Sequence, residues 1–230
     1  MKTLSPELMD TLRKIDACTL ANAIELFQER LRNEGFTDHT IGCLFPQLPP
    51  ILGYVATIKI RGSAPSTVDG QYADRTDWWD YIASLPTPRV VVVQDVATKV
   101  GLGSLLGSVH VNILRALGCV GAVTNGSVRD IPVAESLGFQ IFAGGISVSH
   151  AYAHIVEFGT PVEIGGLKIQ SGDLLHGDLH GIQTIPFDIA ERIPAAAAQI
   201  AAREKTLVDL CQSKDFSIEK LRAAVKENRS

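Results

Sequence analysis

The sequence predicts an α/β protein built around a parallel sheet. Three observations carry that expectation. RVVVVQ at 89–94 is apolar without alternation, as a strand covered on both faces requires. Around it, segments of strand length alternate with segments of helical spacing. Further on, short β-branched stretches are separated by Gly-Gly and Ser-Gly turns. The 230-residue length and 46% hydrophobic content suffice for one well-packed core. We expect a single α/β domain over 1–230, with a helical arm at 1–50, the core at 51–186 and a helical tail at 187–230.

Each element has a local reason. Ser5 followed by Pro6 is a cap and a favourable first helical residue. Leu20, Ala23, Ile24, Phe27 and Leu31 continue at helical spacing until Gly35. Residues 37–50, rich in proline at their end, read as an irregular connecting arm. GYVATIKIR at 53–61 alternates and is β-branched, hence a strand. A polar, turn-rich loop leads to Asp77, and a short helix at 78–85 is closed by Pro86 and Pro88. After the valine strand, a glycine-rich loop at 101–107 opens onto a helix at 109–117. A strand at 119–124, a turn at Asn125-Gly126, a helix at 131–137 and a strand at 140–143 follow. This alternation favours parallel packing. PVEI, LKI, DLLH and 182–185 read as further strands, and the tail from Phe187 as helical. The terminal helices are expected to pack on neighbouring subunits.

Composition excludes several classes. With 25 acidic against 21 basic residues and no Lys/Arg cluster, a nucleic-acid surface is not expected. The four cysteines, Cys18, Cys43, Cys119 and Cys211, form no CxxC, which argues against a zinc ribbon and for a reducing compartment. MKTLSPELMD lacks an apolar core, and no apolar run is long enough to span a bilayer. A cytoplasmic location without membrane contact is the expectation.

The sharpest chemical feature is GAVTNGSVRDIP at 121–132, where a strand exits and Arg129 and Asp130 are presented together before a helix. Ligands gather at the carboxyl ends of strands in α/β sheets. Arginine offers a planar fork for a carboxylate, and aspartate is a hard oxygen ligand suited to Mg²⁺ or Mn²⁺. The competing reading makes Asp130 a plain N-cap of the helix beginning at Ile131. GLGSLLGSVH at 101–110 exposes free N–H groups at a helix N-terminus, suited to a carboxylate or phosphate. It matches neither the Walker A nor the dinucleotide pattern. GDLLHGDLHG at 172–181 holds His176, Asp178 and His180 at a spacing that fits no zinc signature; a polar hairpin is the simpler account. His150 and His154 stand four apart, as on one helical face, and read as structural.

Five segments carry a family resemblance: GYVAT at 53–57, VVVVQD at 90–95, GCVGAVTNGSVRD at 118–130, PVEIGGL at 161–167 and the 172–181 segment. Together they resemble the family of class II 4-hydroxy-4-methyl-2-oxoglutarate aldolases and regulator-of-ribonuclease-E-activity proteins. The resemblance covers most of 18–186, and its specific part is Arg-Asp. It implies an α/β/β/α sandwich assembled as a homotrimer or hexamer with sites between subunits. It also implies that Asp130 ligates Mg²⁺ or Mn²⁺ and that Arg129 holds a small 2-oxo acid and its enolate charge. The substrate would lie along Gly107, Ser108, Val109 and His110, its carboxylate received by the Val109 and His110 amides. Where the family's aldolases have an acidic residue, this chain has Ser108, which supplies no charge.

The expected activity is a lyase that cleaves a carbon–carbon bond beside a 2-oxo acid through a pyruvate enolate, in the manner of 4-hydroxy-4-methyl-2-oxoglutarate aldolase or oxaloacetate decarboxylase. A metal-bound water and His110 are the candidate bases. The alternative is a non-catalytic, regulator-like oligomeric binding protein. An S-adenosylmethionine methyltransferase reading, which needs a glycine loop between strand and helix and an acidic residue after the next strand, fits poorly, because Gly101 to Gly107 matches that loop badly and Asp130 lies on the wrong element.

Overall fold

The computed structural model describes residues 2–66 and 76–227. Two helices open the chain, α1 (Pro6–Lys14) and α2 (Ala17–Glu25). The helical run expected toward Gly35 is thus divided and ends early. The Asp16 carboxylate accepts from the Thr19 N–H at 2.9 Å and starts a new helix, the local competition typical of aspartate. Gln28 then takes φ 55°, and Leu31 is left 66% exposed.

The elements that follow are β1 (Gly42–Cys43), β2 (Ile51–Arg61), α3 (Asp77–Ser84), β3 (Arg89–Asp95), α4 (Ser108–Ala116), β4 (Cys119–Val128), α5 (Ile131–Ser136) and β5 (Gln140–Ile146). Next come β6 (His154–Phe158), β7 (Val162–Ile164), β8 (Leu167–Ile169), β9 (Leu174–Asp178), β10 (Gly181–Ile185), α6 (Ile193–Gln212) and α7 (Ile218–Glu227). Most of the loop expected before Asp77 lies outside the described residues.

The main sheet runs β1-β5-β4-β3-β2-β9-β10. β2, β3, β4 and β5 are parallel, and the flanking pairs are antiparallel. β2 is the pivot. Opposite β3, its first half pairs with β9 and its second half with β6. Two partners along one edge make the sheet curl toward a barrel. β7 and β8 form a separate ribbon.

Side-chain alternation along β2 shows the layers. Ile51 and Val55 turn inward, with Val90, Val92, Val123 and Phe142 from one wall and Leu175 and Ile182 from the other. The β7–β8 ribbon contributes Ile164 and Leu167 to the same core. Ala56, Ile58 and Ile60 turn outward against Trp78 and Ile82 of α3 and Leu114 of α4. Leu52 and Tyr54 also turn outward, against Leu12, Leu20, Ile24 and Ile193 of α1, α2 and α6. Helices, two β walls and helices are therefore stacked as an α/β/β/α sandwich. The valine run is β3, buried on both faces at about 1.5–3 kcal/mol per fully buried aliphatic side chain.

Two local expectations are corrected. Asn125-Gly126 is not a turn: β4 passes through it as a bulge, and pairing with β5 resumes at Ser127 and Val128. The Asn125 side chain accepts from the Asp95 N–H at 2.7 Å and donates to the Asp95 carbonyl at 3.1 Å, holding the bulge against β3. The strand exit thereby moves to Arg129. His150 and His154 share no helix: His150 lies in the turn before β6, with Ala151 at φ 43°, and His154 opens β6. Among the described residues, no helix is long and apolar enough to cross a membrane.

Candidate active site

Three loops meet beyond the carboxyl ends of β3, β4 and β5. Asp95, 2% exposed, organises the first. Its carboxylate accepts from the Ala97 N–H at 2.9 Å and the Gly101 N–H at 2.8 Å, which bends the glycine-rich loop back over β4. The Ser127 hydroxyl links the Gly101 carbonyl at 2.7 Å to the Ser147 hydroxyl at 2.9 Å. The Ser104 N–H donates to the Ser149 carbonyl at 3.1 Å, tying in the loop after β5. Asp95 and Asn125 were not singled out as site residues from sequence. The signal was an aspartate closing a fully apolar strand.

Arg129 and Asp130 leave β4 into this junction. The Arg129 N–H donates to the Leu106 carbonyl at 3.0 Å. Asp130 sits at φ 56°, a left-handed conformation that aspartate tolerates better than most residues. It makes no side-chain cap on α5. Its Oδ2 instead accepts from the Ser108 N–H at 2.8 Å, so it caps α4, an element distant in sequence. The N-cap alternative is corrected accordingly: the carboxylate caps a helix, but not its own.

The two side chains converge. Arg129 Nε lies 3.8 Å from Asp130 Oδ2, and both side chains are about one-third exposed. Both face Gly107, where an added Cβ would stand 2.8 Å from Arg129 Nε and 2.9 Å from Asp130 Oδ2. Gly107 caps α4 without a side chain. The first-turn amides of Ser108, Val109 and His110 have no intrahelical acceptor. Asp130 takes the Ser108 amide, which leaves those of Val109 and His110 at the positive end of the helix dipole.

A cleft of about 60 Å³ lies here, lined by Gly107, Val109, His110 and Arg129, with Ser104 and His150 completing its wall. The Ser108 N–H holds the Asp130 carboxyl below its ordinary range; the Ser108 hydroxyl and Arg129 add to this against opposing desolvation. Burial pushes the His110 imidazole down, and Arg129 pushes it further. The His110 ring lies 6.0 Å from that of Trp78, centroid to centroid. Asp130 is therefore a carboxylate and His110 a neutral imidazole at pH 7.

Among the described residues, no group of three His, Cys, Asp or Glu could enclose a metal. A single ionised, exposed carboxylate suits Mg²⁺ or Mn²⁺, which keep several waters and share ligands with substrate, and does not suit zinc. His176, Asp178 and His180 lie apart from this site, on the β9–β10 hairpin. His176 is fully buried, and Asp178 accepts from the N–H groups of Ala17 and His180, both at 2.8 Å. Arg129 lines the small cleft while Asp130 stands at its edge behind Gly107, and cavities of about 630 and 450 Å³ lie elsewhere among other residues.

Six large apolar side chains stand exposed around the cleft: Val100, Leu102, Val109, Ile146, Val148 and Tyr152, with Val148 96% exposed. Together they give the loops around the polar site an apolar rim.

A curled α/β/β/α sandwich, with an Arg-Asp pair at a central strand's exit, defines the class of protein. The chain belongs to the RraA-like family (Aldolase/RraA), whose profile it matches over residues 6–183. It is 31% identical over 111 residues to a protein of Halalkalibacterium halodurans whose provisional name is 4-hydroxy-4-methyl-2-oxoglutarate aldolase. That alignment covers 46% of this chain and 53% of the relative, so the chain spans about half that relative's length. In structure it is similar to Streptomyces coelicolor RraAS2, an unusual member of the RNase ES inhibitor RraA family, with TM-score 0.71 and 21% identity over 90% of this chain and 98% of the other. A protein of Pseudomonas syringae pv. tomato gives TM-score 0.73 and 21% identity over 96% and 95% of the two chains. At such identities the structural likeness speaks for the fold.

Proposed function

We propose that the protein is a divalent-metal-dependent lyase that cleaves a carbon–carbon bond next to a 2-oxo acid, as an aldolase or oxaloacetate decarboxylase does. One observation carries this reading: Arg129 and Asp130 converge on Gly107, beside the open amides of α4. Family membership and the aldolase-named relative support it.

Asp130 would hold Mg²⁺ or Mn²⁺, which when bound supplies Lewis acidity toward the keto oxygen. The remaining tasks fall to the chain itself. The Val109 and His110 amides take the substrate carboxylate at the helix N-terminus. The Arg129 guanidinium holds the negative charge that develops as the bond breaks and the pyruvate enolate forms. His110, kept neutral by burial and by Arg129, can accept the proton released by a 4-hydroxyl group.

At about 60 Å³ the cleft has room for roughly two waters, too little for substrate and metal together. A second copy seated on the apolar rim would complete the walls, which supports a homotrimer or hexamer with sites between subunits. Ser108 favours a second reading, a non-catalytic oligomeric binding protein, because no second carboxylate adds charge beside Asp130.

The test is pyruvate release from oxaloacetate and from 4-hydroxy-4-methyl-2-oxoglutarate, with EDTA and after restoring Mg²⁺ or Mn²⁺. Metal-dependent release supports the lyase. Metal-independent release above the enzyme-free rate refutes the metal-dependent mechanism, and release from both substrates no faster than metal alone without protein favours the binding protein.

A further inference from the structure

A cavity of about 630 Å³, far larger than the active-site cleft, is not part of the candidate active site. It opens between the 30–36 segment, β10 and the β7–β8 turn. Phe36, Leu167, Leu174 and Phe187 give it apolar walls; Arg30, Lys168, Glu34 and Asp173 are its charged lining residues. It adjoins Leu174, which pairs with Tyr54 and, through it, with Arg89, the first residue of β3. The Arg129–Asp130 site lies beyond the other end of β3, roughly 20 Å away by strand rise.

Arg30 is the unusual member. Its guanidinium is partly buried and held in place: Nη1 donates to the Thr184 carbonyl at 2.9 Å and the Thr184 hydroxyl at 3.1 Å. It lies across Gly35, at φ 88°, where an added Cβ would stand 1.9 Å from Nη1, so only glycine seats it there. Among the described residues, no carboxylate oxygen comes within 4.0 Å of it, and neither Nε nor Nη2 has an acceptor. The Nε–Nη2 edge is the one that matches a carboxylate side-on. A guanidinium taken partly out of water with no acceptor on one edge is unfavourable unless something pairs with that edge. Burial lowers its basicity, and the nearby Glu34 carboxylate partly restores it.

We propose that this cavity is a second ligand site, one that takes a small carboxylate with an apolar body. The carboxylate forks onto Arg30, with Lys168 adding positive charge. The apolar body lies against Phe36 and Phe187. Asp173 is the second polar anchor. Burial pushes its carboxyl above the ordinary range, against the Gln170 N–H that it accepts at 2.8 Å. A ligand that also carries an ammonium group would place it there. The shared chemistry is thus a carboxylate on an apolar frame, and its source is either a simple aryl or alkyl acid or an α-amino acid.

The experiment is titration of the full chain by calorimetry and amide NMR, with 3-phenylpropanoate and L-phenylalanine as probes and 3-phenylpropanamide as the neutral control. Saturable binding of at least one acid, with shifts at Gly35 and Thr184 and at least tenfold weaker binding of the amide, is expected. Preference for phenylalanine, abolished by Asp173→Asn, identifies the amino-acid source; preference for 3-phenylpropanoate identifies the simple acid. Lys168→Gln should weaken binding about threefold. Arg30→Lys, which keeps the charge and loses the fork, should weaken it at least tenfold. Asp130→Ala should leave it unchanged, which separates this site from the lyase reading. No saturable binding of either acid, or equal affinity for acid and amide, overturns the proposal. So does undiminished binding in a folded Arg30→Lys variant.

Discussion

Replacing Gly107 with alanine tests the convergence of Arg129 and Asp130 without touching either. Gly107 has φ −129°, which alanine adopts freely, so the backbone is not strained. The new Cβ would stand 2.8 Å from Arg129 Nε, 2.9 Å from Asp130 Oδ2 and 3.2 Å from Arg129 Cγ. To reach ordinary contact, the two side-chain ends must retreat by roughly 0.6 Å or more, toward the 1 Å misplacement that costs on the order of 10²-fold in rate. Moving Asp130 Oδ2 loosens the cap it gives the Ser108 N–H, and alanine is a poorer N-cap than glycine, a cost of about 1 kcal/mol. Removing a glycine also lowers the entropy of the unfolded chain, a gain of about 0.4–1 kcal/mol where the conformation is compatible. The entropy gain roughly offsets the weakened cap, so the expected outcome is a folded variant with Tm within a few degrees of wild type and a kcat/KM for oxaloacetate reduced roughly 10- to 100-fold. The assay is lactate-dehydrogenase-coupled pyruvate release, with thermal unfolding followed in parallel. A well-folded Gly107→Ala protein with the full metal-dependent rate would refute the reasoning, because those side chains could then be displaced without consequence.

Arg129→Ala should cut kcat by roughly 10²–10³, the range for losing one preorganised charge-stabilising group, while calorimetry still detects Mg²⁺ or Mn²⁺ binding. Asp130→Ala should abolish metal-dependent turnover while circular dichroism shows the fold intact; full activity in both variants would remove the lyase proposal. Ser108→Asp restores a carboxylate at the first residue of α4, where the helix dipole favours it. It should lower the Mg²⁺ concentration needed for half-maximal rate. His176 supplies a pH prediction, since burial depresses it below its ordinary 6.5, with Asp178 opposing. The folded chain then binds that proton less readily than the unfolded chain, so this contribution to stability is present above pH 6.5 and is lost as pH falls toward the folded value. Urea midpoints should drop between pH 7.5 and pH 5 in wild type and drop less in His176→Gln.

Some of this was legible before any coordinates. The valine run fixed a strand buried on both faces, and helix–strand alternation fixed a parallel centre, because burial on two faces demands those residue types. The Arg-Asp step was visible as a pair of adjacent polar residues before a helix, and its family resemblance gave the two residues roles. The end of α2, the β4 bulge and strand β6 were less legible. Each depends on a partner distant in sequence: Asn125 finds Asp95 on the neighbouring strand, and β6 pairs with the far half of β2.

The sequence by itself determined the class of fold, the order of its elements and which residues could carry chemistry, since periodicity and residue type are local properties. Tertiary structure alone decided that Asp130 caps α4 rather than α5, that Gly107 is the point on which Arg129 and Asp130 close, and that Arg30 lies across Gly35 bonded to Thr184. Those are relations between segments tens of residues apart or between side chains and backbone. No spacing along the chain encodes them, because they arise only when packing sets which donors and acceptors can reach one another.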